Sequence, residues 1–85
     1  MARPVLLTRD ECGLCEDAAR DLRRMGIDFT TLDIDDHPDL LQRYNEAIPV
    51  LMLDGTELAR APLNDMKLRI ALARAGIGPT RIPRA

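Results

Sequence analysis

Aromatic side chains are nearly missing from this 85-residue chain, which has one Phe, one Tyr and no Trp. A core built from it must therefore come from Leu, Ile, Val, Met and Ala. Charge of one sign is missing as well. Twelve basic residues are scattered among 14 acidic ones for a net charge of −2, so the basic footprint of a nucleic-acid binder is not there. Long apolar runs are also lacking. Val5-Leu6-Leu7 is far too short for a secretion signal or a membrane span, and the expected location is the cytoplasm. Cysteine is scarce too. Two cysteines do not make the disulfide framework of a small secreted domain.

What is present is ordinary for a globular domain: 46% hydrophobic and 31% charged residues. A chain of this size buries roughly 60–65% of the surface its unfolded form exposes, a modest but sufficient core. Residues 1–76 are expected to form one domain, and residues 77–85, ending in "TRIPRA", a frayed C-terminal tail.

Periodicity divides the chain cleanly. "PVLLTR" (4–9) is an apolar run suited to a buried strand. In "CEDAARDLRRMG", Cys15, Ala18, Ala19, Leu22 and Met25 recur at helical spacing. Acids lie in its first turn, arginines in its last, and Gly26 ends it. Residues 27–35 alternate as a strand, with Ile27, Phe29 and Thr31 on one face. Residues 37–46 read as a short helix with Pro38 first, Asp36 as its cap, and Leu40, Leu41 and Tyr44 inward. Residues 48–60 read as a hairpin turning at Asp54-Gly55. Residues 62–76 read as a helix with Leu63, Met66, Ile70 and Ala73 on one stripe, widened by Leu68 and Leu72. The order β-α-β-α-β-β-α predicts an α/β domain. Its first two strands are parallel, its last two form an antiparallel hairpin, and three helices cover the two faces of a four-stranded mixed sheet.

Both cysteines lie in "DECGLC". Cys12 falls at the start of the first helix and Cys15 one turn in, so the two sulfurs share a face. Unpaired amides at a helix start stabilise a sulfur anion, whereas the second thiol is covered by its own helix. Asp10 and Glu11 oppose that anion, but surface charge is screened over about 8–10 Å and amide contacts are direct. The Cys12 thiol is therefore expected below the free value of about 8.5. A zinc site would need four ligands, and only His37 could add a nitrogen to the two sulfurs. His37 is read as a solvated helix-start residue instead, with no metal expected. Arg20, Arg23 and Arg24 are read as the wet face of the first helix.

The chain resembles the thioredoxin fold and, within it, the glutaredoxin-like family of small redox proteins. The resemblance rests on a strand followed by Cys12-Gly13-Leu14-Cys15 opening a helix, on Ile48-Pro49 before a later strand, and on the Asp-Gly hairpin before the last helix. It covers residues 4 to about 75. It implies a thiol–disulfide oxidoreductase that reduces protein disulfides or glutathione mixed disulfides, with Cys12 as nucleophile and Cys15 as resolving thiol. It further implies a cis Pro49 beside the cysteines and an Ile48 backbone that pairs with substrate. Leu14, Arg9 and Asp65 are the remaining substrate-binding candidates, although Asp65 reads equally as a helix-start acid. No bound cofactor is implied; glutathione would be a co-substrate. The implied partners are disulfide-bearing proteins, glutathione or a thioredoxin-reductase-like enzyme, and the chain is expected to be a monomer. The competing reading is a non-catalytic binding module on the same fold with a redox-sensitive cysteine latch. A cluster-bridging dimer is a more distant option.

Overall fold

β1 (Val5–Thr8) is the strand around which the rest is arranged in the computed structural model, which describes residues 3–79. Its side chains alternate faces, as a pleated strand requires. Leu6 and Leu7 are both fully or nearly fully buried and belong to different clusters. β1 runs parallel to β2 (Thr30–Asp33) and antiparallel to β3 (Val50–Leu53), and β3 pairs with β4 (Thr56–Arg60). The sheet order is β2-β1-β3-β4. Three helices are added: α1 (Gly13–Arg24), α2 (Pro38–Tyr44) and α3 (Asp65–Arg74). Together they give the predicted α/β architecture, a four-stranded mixed sheet with three helices.

One face of the sheet carries α1 and α3. There Leu6 and Leu51 meet Ala18, Ala19 and Leu22 of α1 and Leu68 and Leu72 of α3. The other face carries α2, where Leu7 and Val50 meet Ile34 and Tyr44. Each fully buried Leu contributes about 1.5–3 kcal/mol, so two small clusters suffice without tryptophan or a large aromatic core. Tyr44, 5% exposed, is core.

The two long helices end alike. Gly26 at φ +77° and Gly76 at φ +72° take the left-handed conformation that glycine adopts at least cost. After each, the chain folds back. The Ile27 N–H donates to the Leu22 carbonyl (3.1 Å) and the Ile77 N–H to the Leu72 carbonyl (2.9 Å), closing off both helices with paired backbone bonds. Ile77, one residue past the expected domain boundary, packs on the core. "TRIPRA" (80–85) lies outside the described residues.

Four expectations need correction. The second strand is shorter than 27–35. Pro4 has no N–H to extend the ladder beyond the Thr30 N–H to Pro4 carbonyl bond (3.1 Å). At the other end Asp33 accepts the Asp35 N–H (2.9 Å), turning the chain into a 3-10 turn over Ile34–Asp36. Asp36 does not cap α2. Pro38 occupies the first turn, which makes His37 the capping position, and its side chain makes no capping bond. The first strand spans Val5–Thr8 rather than 4–9. Finally, α3 faces the core with Leu68, Ala71 and Leu72, while Met66 and Ile70 are 70% and 46% exposed. This helix carries two apolar rows, and the leucine row lies inward.

Candidate active site

The site begins where β1 ends. Asp10 and Glu11 are exposed, and Glu11 holds φ +57°, an uncommon left-handed value for a residue with a side chain. This turn delivers Cys12 to the capping position of α1 in extended backbone (φ −106°, ψ 99°). Its Sγ accepts the Cys15 N–H at 3.2 Å. A sulfur at a capping position is held against the unpaired amides of the first turn, where negative charge is favoured. Cys12 and Cys15 are joined in a disulfide with their Cα atoms 5.2 Å apart. Cys12 is half-buried and Cys15 is 3% exposed, so only the first sulfur is open to a partner. Leu14, between them in the sequence, is 62% exposed.

The second wall is the start of β3. Val50 pairs with Leu7, so Ile48-Pro49 joins the sheet at the end from which β1 departs toward Cys12. The Ile48-Pro49 peptide is cis, as is Ala61-Pro62, which nothing in the sequence reading singled out. Pro49 is fully buried and Ile48 half-buried. Among the described residues, neither the N–H nor the C=O of Ile48 makes a backbone hydrogen bond. It is therefore open to pair with an extended chain.

Arg9 and Asp65, the other two substrate-binding candidates, each make an ion pair within the protein. Arg9 grips Asp35 through Nε (3.1 and 3.2 Å) and Nη2 (2.9 Å), and Nη2 also donates to Asn45 Oδ1 at 2.6 Å. It ties the end of β1 to the 3-10 turn and to the residue after α2. Asp65 accepts from Arg69 Nε at 2.7 Å, one turn along the same helix. Both side chains are thus engaged within the protein. Asp35 and Asn45, the partners that hold Arg9, were not singled out in the sequence. They lie 26 and 36 residues away, and no local pattern signals such a pairing.

A shallow depression of about 260 Å³ opens beside Cys15, lined by Thr8, Arg9, Glu16, Ala19, Arg23 and Thr31. Arg23 lies over the Phe29 ring at 5.8 Å, and Arg20 pairs with Asp17 at 2.7 Å on the exposed side of α1. Among the described residues, no three His, Cys, Asp or Glu side chains gather as a metal-binding group. No helix among them is long and apolar enough to cross a membrane.

Comparison with known proteins fits this geometry. Residues 4–73 match the model of the family described as Glutaredoxin-like domain (DUF836). The chain belongs to that glutaredoxin-like family. An uncharacterized protein of Mycobacterium tuberculosis is 33% identical, with 92% of each chain covered. An X-ray structure of a protein from X. campestris is 32% identical with a TM-score of 0.74, covering 84% of this chain and 96% of that one. The glutaredoxin of Archaeoglobus fulgidus shares the fold at 20% identity, with a TM-score of 0.65 and 85% and 87% of the two chains covered. This glutaredoxin-like chain is therefore a thioredoxin-type fold with a C-x-x-C pair that forms a disulfide.

Proposed function

We propose that the protein is a thiol–disulfide oxidoreductase that reduces disulfides in proteins or mixed disulfides with glutathione. The observation that carries this reading is the placement of Cys12: half-buried at a helix start, its sulfur bonded to an amide, with a covered partner thiol one turn away.

The chemistry follows from that asymmetry. In the reduced protein the Cys12 thiolate attacks one sulfur of a disulfide. A Cys12–substrate mixed disulfide forms, and the other substrate half leaves as a thiolate. Cys15 then loses its proton and attacks Cys12 Sγ. The Cys12–Cys15 disulfide forms and the second half leaves as a thiolate, so the substrate gains two electrons and the protein loses them. Two thiols of glutathione, or a thioredoxin-reductase-like enzyme, restore the dithiol. The free N–H and C=O of Ile48 give a bound chain a short antiparallel partner, which fixes the disulfide near Cys12. The acids at positions 10 and 11 temper the thiolate, which favours a reductant over a strong oxidant.

Turnover of a small mixed disulfide with glutathione, and separately with a thioredoxin reductase, tests the reading. Wild type should turn over and Cys12→Ser should not. With glutathione as reductant, Cys15→Ser should retain much of its activity on glutathione mixed disulfides, because a second glutathione resolves the intermediate. Under a dithiol route it should stall as a mixed disulfide. A Cys12 thiol no more reactive toward disulfides than a free thiol in solution would remove the proposal.

A further inference from the structure

Two of the side chains that resemblance assigns to substrate, Arg9 and Asp65, make ion pairs within the protein, and the exposed acids nearest Cys12 in the sequence have the wrong sign for glutathione. Arg9 is the basic residue nearest the cysteines in sequence on their N-terminal side, and Asp35 and Asn45 hold it through its Nε and Nη2 edge. Asp65 is held by Arg69. Around the reactive sulfur, Asp10, Glu11 and Glu16 are exposed and enter no ion pair among the described residues. Glutathione carries a carboxylate at each end and is anionic at neutral pH. It would meet like charge at Asp10, Glu11 and Glu16, while Arg23, the guanidinium without an acidic partner among the described residues that lines the depression beside Cys15, lies over the Phe29 ring. A polypeptide has what the site does offer. An extended backbone can pair with Ile48, an apolar side chain can rest on Leu14, 62% exposed, and Lys or Arg beside the disulfide can face Asp10 and Glu11.

From this we infer the substrate class: a disulfide within a cationic stretch of polypeptide, in preference to glutathione disulfides. The inference rests on the thiol–disulfide reading above and narrows it. Complementary charge acts mainly on the encounter rate and on the choice of partner, and it weakens with salt.

The test measures how fast reduced Cys15→Ser protein forms a mixed disulfide with four probes. These are oxidised glutathione, a disulfide-linked peptide with Lys flanking each Cys, the same peptide with Glu in place of Lys, and uncharged hydroxyethyl disulfide. The Lys peptide should react faster than the Glu peptide and oxidised glutathione by about tenfold or more at low ionic strength. The gap should close as salt is added. Asp10→Asn with Glu11→Gln should shrink the Lys-to-Glu ratio, a ratio that cancels any change in the thiolate fraction. Asp35→Asn, which loosens the grip on Arg9, should speed the reaction of oxidised glutathione relative to hydroxyethyl disulfide. Oxidised glutathione reacting as fast as the Lys peptide, or a ratio indifferent to salt, overturns the inference while leaving the oxidoreductase intact. Failure to attack even hydroxyethyl disulfide overturns the oxidoreductase reading, and the inference falls with it.

Discussion

α1 and α3 begin with the same local bond and end with the same glycine, yet only one of them is capped by a sulfur. Cys12 and Asn64 both stand at the capping position in extended backbone, and each side chain accepts the N–H three residues on: Cys15 N–H to Sγ at 3.2 Å, Lys67 N–H to Oδ1 at 2.8 Å. Both helices pack on the same cluster of leucines and alanines. The difference is the capping atom. An amide oxygen satisfies the free N–H and does nothing more. A sulfur is a weaker acceptor, but the amides that it caps stabilise its anion. Cys12 thus fills an ordinary structural position with an unusual atom. α2 completes the comparison: its capping residue, His37, makes no side-chain bond at all.

Exchanging the caps gives the largest expected effects. Cys12→Asn supplies a good cap at α1 and removes the nucleophile. Disulfide turnover should fall by about a thousandfold or more, while the reduced protein loses no stability in urea denaturation. Asn64→Ala should do the opposite. It should cost about 1 kcal/mol, within a range of about 0.5–2, and leave the rate of Cys12 with hydroxyethyl disulfide unchanged. Loss of reactivity in Asn64→Ala would mean that the two helix starts are not independent.

A smaller change should come from α2. His37 already has the extended backbone of a cap (φ −134°, ψ 96°) with Pro38 following. His37→Asn should supply the missing acceptor and raise stability by about 0.5–1 kcal/mol, read as a higher urea midpoint in the reduced protein. An unchanged midpoint would show that the short helix is held by Leu40, Leu41 and Tyr44 alone.

What the sequence revealed about these helices was local. Cys12 at a helix start, Gly26 at a helix end, the Asp54-Gly55 turn and the Val50–Leu53 strand could all be read within a few residues, because caps, turns and strand periodicity act over that range. The Asp54-Gly55 pair indeed takes positive φ at both positions, as a tight hairpin needs. Interactions set by distant partners were not legible. The grip of Asp35 and Asn45 on Arg9 depends on where β1 and α2 end in space. The rotation of α3 was ambiguous because Met66 and Ile70 compete with Leu68 and Leu72 at equal spacing, and only packing against the sheet decides. The left-handed Glu11 carries no sequence mark, since glycine would be the usual residue there. The cysteine pair was therefore readable and its charge surroundings were not. The first is a matter of residue type at a helix start, the second of which charges remain unpaired after folding.

The smallest expected effect tests what steadies the start of α3. Lys67 Nζ donates to the Arg60 carbonyl at 3.2 Å, fastening the first turn of α3 to the end of β4. The Arg60 side chain in turn binds Glu57 through two bonds, of 2.7 and 2.6 Å. These hydrogen bonds hold the Glu57 carboxyl below its ordinary value of 4.5. Partial burial works against them, and the charge of Arg60 adds to them. A carboxyl with a depressed folded value binds its proton more readily in the unfolded chain. Its contribution is thus complete above pH 4.5 and fades as pH falls through the lower folded value. The Arg60 value is raised, so its matching contribution is lost only at strongly alkaline pH. Glu57→Gln should therefore lower the urea midpoint slightly at pH 7, and wild type and variant should converge as the pH is taken well below 4.5. The reaction of Cys12 with hydroxyethyl disulfide at pH 7 should be the same in both. Arg9 and Asp35 fasten the end of β1, which leads to Cys12, and the Glu57–Arg60 pair does not touch them, so a change in Cys12 reactivity would show that the two fastenings communicate through the sheet.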